Sequence, residues 1–216
     1  MPSLDCTLLT DGSSDIALLP ILEWVIRQHT AEAAVHCEWA DLRRLPSPPH
    51  ALDDRIVKAV ELYPCQLLFV HRDAEGQDPA RRYDEIRAAV QTAREKGVDL
   101  PHVCVVPVRM QEAWLLLDPA AIRRAADNPR GMMDLGLPLP KHVEGVRDPK
   151  AQLYGTLRRA CGLRRRRLKR FRPELRATLV SHYMASFDCL RALPAFRRLE
   201  HDAHKVIAAL GVPGNP

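Results

Sequence analysis

Residues 1–117 alternate short apolar runs with longer amphipathic stretches. Residues 4–10 form a strand-like run that stops at Asp11-Gly12. Ser13 or Ser14 is placed to cap a following helix, whose apolar positions Leu18, Leu19, Leu22, Val25 and Ile26 keep helical spacing. Pro20 either marks the first turn of that helix or kinks it. Residues 35–39 read as a second strand and the Pro-Ser-Pro-Pro stretch at 46–49 as a loop. Leu52, Ile56 and Val60 then space a helix. Residues 66–71, Gln-Leu-Leu-Phe-Val-His, have the composition of a buried strand. Asp78-Pro79 opens a helix carrying Tyr83, Ile86 and Val90 and ending near Gly97. Residues 103–108 give a fourth strand with Pro107 near its end, and residues 112–117 look helical.

Strand and helix alternating at this spacing predict an α/β domain with a largely parallel sheet. From Pro119 onward no strand is evident. The expected organisation is an α/β domain over residues 1–126, a Gly- and Pro-rich linker or lid over 127–149, and a basic helical C-terminal region over 150–216, possible as one compact unit with the first. Residues 149–210 read as two or three helices and residues 211–216 as a frayed tail.

Composition narrows the class. Of 216 residues, 46% are hydrophobic and 27% charged, which is globular rather than disordered. No apolar run reaches the roughly 18 residues of a membrane-spanning helix, and the N-terminus lacks the pattern of a secretory signal. The six cysteines lie far apart, with no Cys-x-x-Cys. They read as buried free thiols in a reducing cytoplasm. With 32 Lys and Arg against 27 Asp and Glu, the net charge is +5, but it is unevenly spread. Residues 147–216 hold 16 basic and 5 acidic side chains, whereas residues 1–146 hold 16 and 22. An acidic front and a basic back suggest metal binding and phosphate binding as separate tasks.

Ligand sites in parallel α/β sheets gather at the carboxyl ends of the strands. There the first strand delivers Asp11 and Asp15, the third His71, Asp73 and Glu75, and the fourth Glu112. Clustered carboxylates repel each other, and a divalent cation relieves that cost. Oxygen donors suit Mg2+ or Mn2+. Such an ion holds a phosphate oxygen and acidifies an attacking water. Asp73, Glu75, Asp11 and Asp15 are the candidate ligands, and Asp11, Glu112 and His71 the candidate proton-handling groups. Each also has a plainer reading. Asp11 can start a turn with Gly12, Asp15 and Glu112 can sit in a first helical turn, and His71 can be a hydrogen-bonded histidine at a strand end.

Five segments carry a family likeness: Leu-Leu-Thr-Asp-Gly-Ser-Ser-Asp (8–15), Phe-Val-His-Arg-Asp-Ala-Glu (69–75), Val-Pro-Val-Arg-Met-Gln-Glu-Ala-Trp-Leu-Leu (106–116), Asp-Pro-Lys (148–150) and Leu-Pro-Ala-Phe (193–196). In this order they resemble the TOPRIM domain of topoisomerases, primases and OLD-type nucleases. The nearer resemblance is to a TOPRIM-like bacterial family of uncharacterised function, often encoded beside an AAA-type ATPase. The resemblance implies a Rossmannoid TOPRIM-like sheet flanked by helices and metal-dependent cleavage of DNA phosphodiesters, as in the effector of an ATPase-linked anti-phage defence system. It places a general acid/base at Asp11, where the family has glutamate, and a metal-holding pair at His71-x-Asp73 or Asp73-x-Glu75, where the family has Asp-x-Asp.

Six of the seven residues 164–170 are cationic: Arg164, Arg165, Arg166, Arg167, Lys169 and Arg170. Such a run contacts nucleic-acid phosphates without reading sequence, or it is simply solvated. Lys150 could reach the acidic site to touch a phosphate, or lie on the surface. The stripe Leu175, Leu179, Tyr183, Phe187 and Leu190 reads as core or as a groove for a partner helix, and Trp24, Trp39 and Trp114 as core anchors. No Walker A, Gly-x-Ser-x-Gly or Gly-x-Gly-x-x-Gly motif is present. Three functions follow as expectations: a metal-dependent nuclease, a catalytically inactive TOPRIM-like regulatory partner of an ATPase, and a small-molecule phosphohydrolase. A homodimer is compatible with any of them.

Overall fold

The structure is a computed structural model in which residues 3–30 and 33–211 are described. Four strands, β1 (Ser3–Leu9), β2 (Ala34–Trp39), β3 (Leu67–His71) and β4 (His102–Val105), form one parallel sheet in the order β2-β1-β3-β4. Cys6 faces Cys37 across β1 and β2, Leu9 faces Val70 across β1 and β3, and His71 faces Val105 across β3 and β4. All five residues of β3 are buried, because helices cover both faces of the sheet.

The two faces hold separate apolar clusters. Alternation along the strands sends Leu4, Cys6, Leu8, Leu67 and Phe69 to one face. There they meet α1 (Leu19–Arg27), α8 (Pro194–Ala209) and the other C-terminal helices. Leu9, Leu68, Val70 and Cys104 point to the other face, against α2 (Leu52–Leu62) and α3 (Pro79–Glu95). The crossover through α1 therefore runs over one face and those through α2 and α3 over the other. Strand order reverses between β1 and β3, the point at which ligand sites gather in such sheets.

Proline and aspartate set the helix starts. Asp78, Asp118 and Asp148 each cap a helix whose first residue is proline: α3, α4 (Pro119–Ala125) and α5 (Pro149–Ala160). The carboxylate accepts a free backbone N–H, and proline lacks the N–H that a first turn leaves unpaired. Pro20 is likewise a first-turn residue, because a 3-10 turn (Ser14–Leu18) precedes α1.

Among the described residues, the C-terminal region has four α-helices where two or three helices are expected. Gly162 and Pro173 separate α5, α6 (Arg165–Arg170) and α7 (Pro173–Tyr183), and Pro194 starts α8. Residues 112–117, expected to be helical, lie in a seven-residue 3-10 helix (Gln111–Leu117). Within 127–149, Leu135 and Val143 are buried in the same cluster as β1 and α8. Trp114 is buried edge-on to Phe196 of α8, with ring centres 5.6 Å apart, whereas Trp24 and Trp39 are only partly buried. Leu190 and Phe187 of the apolar stripe are buried, but Leu175 is 69% exposed. Of the tail expected to fray, residues 212–216 lie outside the described residues. No helix among the described residues is long and apolar enough to cross a membrane.

Candidate functional site at the carboxyl edge

The loops after β3 and β4 are joined by backbone hydrogen bonds. Arg72, Ala74, Glu75 and Gly76 donate to the carbonyls of Val105, Pro107, Arg109 and Val108. Glu75 and Gly76 both take the left-handed conformation to make this turn, and the Arg109 guanidinium packs where a side chain on Gly76 would project. This pairing sets Asp73 beside Gln111, whose backbone N–H donates to Asp73 Oδ1 at 3.1 Å. The Gln111 amide reaches the Ser14 carbonyl at 3.4 Å, which ties the β4 loop to the β1 loop.

The acids expected to act together fall into two networks. The buried one runs Asp15–His71–Asp73. His71, 2% exposed, has Nδ1 3.5 Å from Asp15 Oδ2 and Nε2 3.2 Å from Asp73 Oδ1. Burial opposes charge on the imidazole, but the two flanking carboxylates outweigh it and raise its pKa to about 9. Burial likewise opposes charge on Asp15, and His71 reverses that effect. Donation from Gly12 N–H at 2.9 Å and from the Ser14 hydroxyl at 3.2 Å helps to hold Asp15 below the usual carboxylate range. The result is a buried imidazole between two carboxylates that favour its charged form.

The exposed network is an arginine ladder. Asp11 is paired with Arg55 of α2 and with Arg72, at 2.6 Å in the second case. Arg72 also pairs with Glu85 at 2.7 Å, and Arg82 joins Glu85 at 2.8 Å to Glu75 at 3.6 Å. Asp11 and Glu75, both expected at the reacting centre, are thus engaged by guanidinium groups, and Glu75 is 59% exposed.

Glu112 stands apart from both. Its side chain is 4% exposed, with Lys150 Nζ 3.6 Å away. Burial pushes its carboxyl above the ordinary glutamate value; the charges of Asp73 and Asp15 add to this, and Lys150 opposes it. Lys150 lines an opening of about 730 Å³ with Ser13, Ser14, Tyr154 and the arginine pair Arg43 and Arg44. Both arginines bond Asp41, whose carboxyl is held low chiefly by the Arg43 hydrogen bond.

Among the described residues, no group of three or more His, Cys, Asp or Glu side chains is arranged to hold a metal ion. The cationic run, over α6 and the residue before it, is exposed at every basic position. Among the described residues, none of Arg164, Arg165, Arg166, Arg167, Lys169 and Arg170 forms an ion pair.

Nothing local in the sequence marks Gln111 as a site residue, whereas Arg72 stands between His71 and Asp73. Arg55, 44 residues from Asp11, gives no local signal. Comparison of the chain with protein-family models, curated proteins and solved structures finds no match.

Proposed function

We propose that this chain is a TOPRIM-like nucleic-acid-binding subunit that holds the DNA backbone without reading its sequence. In this reading it regulates, or is regulated by, an AAA-type ATPase and does not cut DNA by itself. The observation that carries the reading is the placement of His71. Position 71 is one of the two places where the resemblance puts the first acid of a metal-holding pair, the other being Asp73, and its side chain is an imidazole with ring nitrogens 3.5 Å from Asp15 and 3.2 Å from Asp73.

The donor set does not fit the Mg2+ or Mn2+ ion that the resemblance implies. Asp11 is bound by two arginines, Glu75 faces Arg82, and the histidinium balances the charge that a metal would balance. The exposed, unpaired arginines supply the binding function, since each phosphate contact releases counterions and adds affinity without sequence preference. The ATPase partner comes from the resemblance alone.

One observation favours the nuclease reading as a second. Glu112 is a buried carboxyl with a raised pKa beside Lys150, the environment in which a carboxyl moves protons near neutral pH. A single experiment separates the two. Labelled DNA is incubated with the chain and Mn2+, and binding and cleavage are both read. The first reading expects salt-sensitive binding and intact DNA. Metal-dependent cutting that is lost in Glu112→Gln and Asp73→Ala overturns it in favour of the second.

A further inference from the structure

The 730 Å³ opening in front of Lys150 does not end at the carboxyl edge. Leu175, near the start of α7, lines it and also lines a second opening of about 410 Å³. The walls of the second opening include Arg167, Arg170, Arg172 and Arg176. Leu175 is the wall that the two openings share. Together they reach from the cationic α6 to the Ser13–Ser14 loop and to Trp39, whose ring lies 4.9 Å beneath the Arg43 guanidinium.

The lining combines two chemistries. Seven cationic side chains line the two openings against three acids, Asp41, Asp127 and Glu174, each already paired with an arginine. Apolar surfaces stand between the cations: Leu175, 69% exposed, and the partly exposed rings of Phe171, Tyr154 and Trp39. A duplex offers phosphates to such a lining but keeps its base faces stacked inside, so the apolar surfaces would meet only water or sugar. A single strand offers both, with phosphates for the arginines and unstacked bases for the apolar surfaces. We propose that the two openings form one trench, from α6 over Leu175 to the Ser13–Ser14 loop, and that it binds a single-stranded polynucleotide along that path. This inference rests on the nucleic-acid reading above and adds the strand form and the path.

The test is fluorescence anisotropy on the full chain, with a labelled oligothymidylate of about 20 nucleotides and a duplex of equal length. Two variants accompany the wild type: Arg167→Glu with Arg170→Glu, and Leu175→Asp. All three substituted positions are exposed, so the fold is kept, and circular dichroism checks this. The expected result is single-strand affinity at least about tenfold above that for duplex. The arginine reversals lower both affinities, whereas Leu175→Asp lowers the single-strand affinity alone, by about tenfold. Equal or tighter duplex binding overturns the strand form and leaves the nucleic-acid reading standing. Wild-type binding to neither form overturns both. Displacement of the oligonucleotide by polyglutamate at equal charge concentration overturns the inference in favour of an acidic polypeptide. Binding unchanged by either variant overturns the path.

Discussion

Arg72, the residue after β3, donates to the carboxylate of Asp11, just beyond the end of β1, at 2.6 Å. The contact bridges the strand pair where the sheet order reverses, the point at which ligand sites gather in such sheets. It also commits the first-strand acid to a structural partner. In a double-mutant cycle, Asp11→Asn and Arg72→Ala should each cost about 1 kcal/mol, because the pair is partly exposed. Their combined cost should fall short of the sum. Strict additivity in urea unfolding would mean that the contact contributes nothing in solution.

The buried histidinium gives stability a definite pH dependence. His71 has its pKa raised from 6.5 to about 9. Its contribution is therefore fully present below 6.5 and is lost as pH rises through about 9. Asp15 has its pKa lowered from 3.8, so its contribution is present above that value and is lost as pH falls. Wild type should exceed His71→Gln by about 3 kcal/mol near pH 6, with the gap closing towards pH 10. Unfolding midpoints for the two chains that run parallel from pH 6 to 10 would show a neutral imidazole.

Glu112 has the opposite sign. Its raised pKa means that the ionised form is penalised by burial. Glu112→Gln should raise the melting midpoint by a few degrees at pH 7.5 and leave it nearly unchanged at pH 4.5. Differential scanning calorimetry at the two pH values checks this. A loss of stability at pH 7.5 would show that the Lys150 contact outweighs the burial cost.

Trp114 lies two residues after Glu112 in the 3-10 helix that follows β4, and Phe196 belongs to α8. Their edge-to-face contact makes the C-terminal helix part of the core beneath the site. Phe196→Ala should cost about 3–5 kcal/mol in chemical denaturation. A cost under about 1 kcal/mol would mean that α8 contributes little to the folded unit.

Much of the fold was legible because its signals are local. The strands at 66–71 and 103–108 and the Asp78-Pro79 helix start appear close to where the pattern puts them, though β4 ends at Val105, ahead of Pro107. The collection of acids at the carboxyl edge follows from parallel topology, and Asp15 and Asp73 do meet there, on either side of His71. Their partners were not legible. The pairing of Asp11 with Arg55 and of Lys150 with Glu112 depends on how α2 and α5 dock, which no spacing encodes. The same holds for the trench, because Leu175 reads as one member of an apolar stripe until α7 is placed and its side chain is left outside the core.

Manganese binding measured by titration calorimetry is the most direct test of the central claim that His71 and the arginines have taken over the charge balance of this site. The expected result is no binding tighter than the millimolar range for the wild-type chain, at a pH near 7 where the histidinium is intact. Micromolar binding that disappears in a folded Asp73→Ala variant would contradict it. The acids would then form a working metal centre, and the nuclease reading would take precedence.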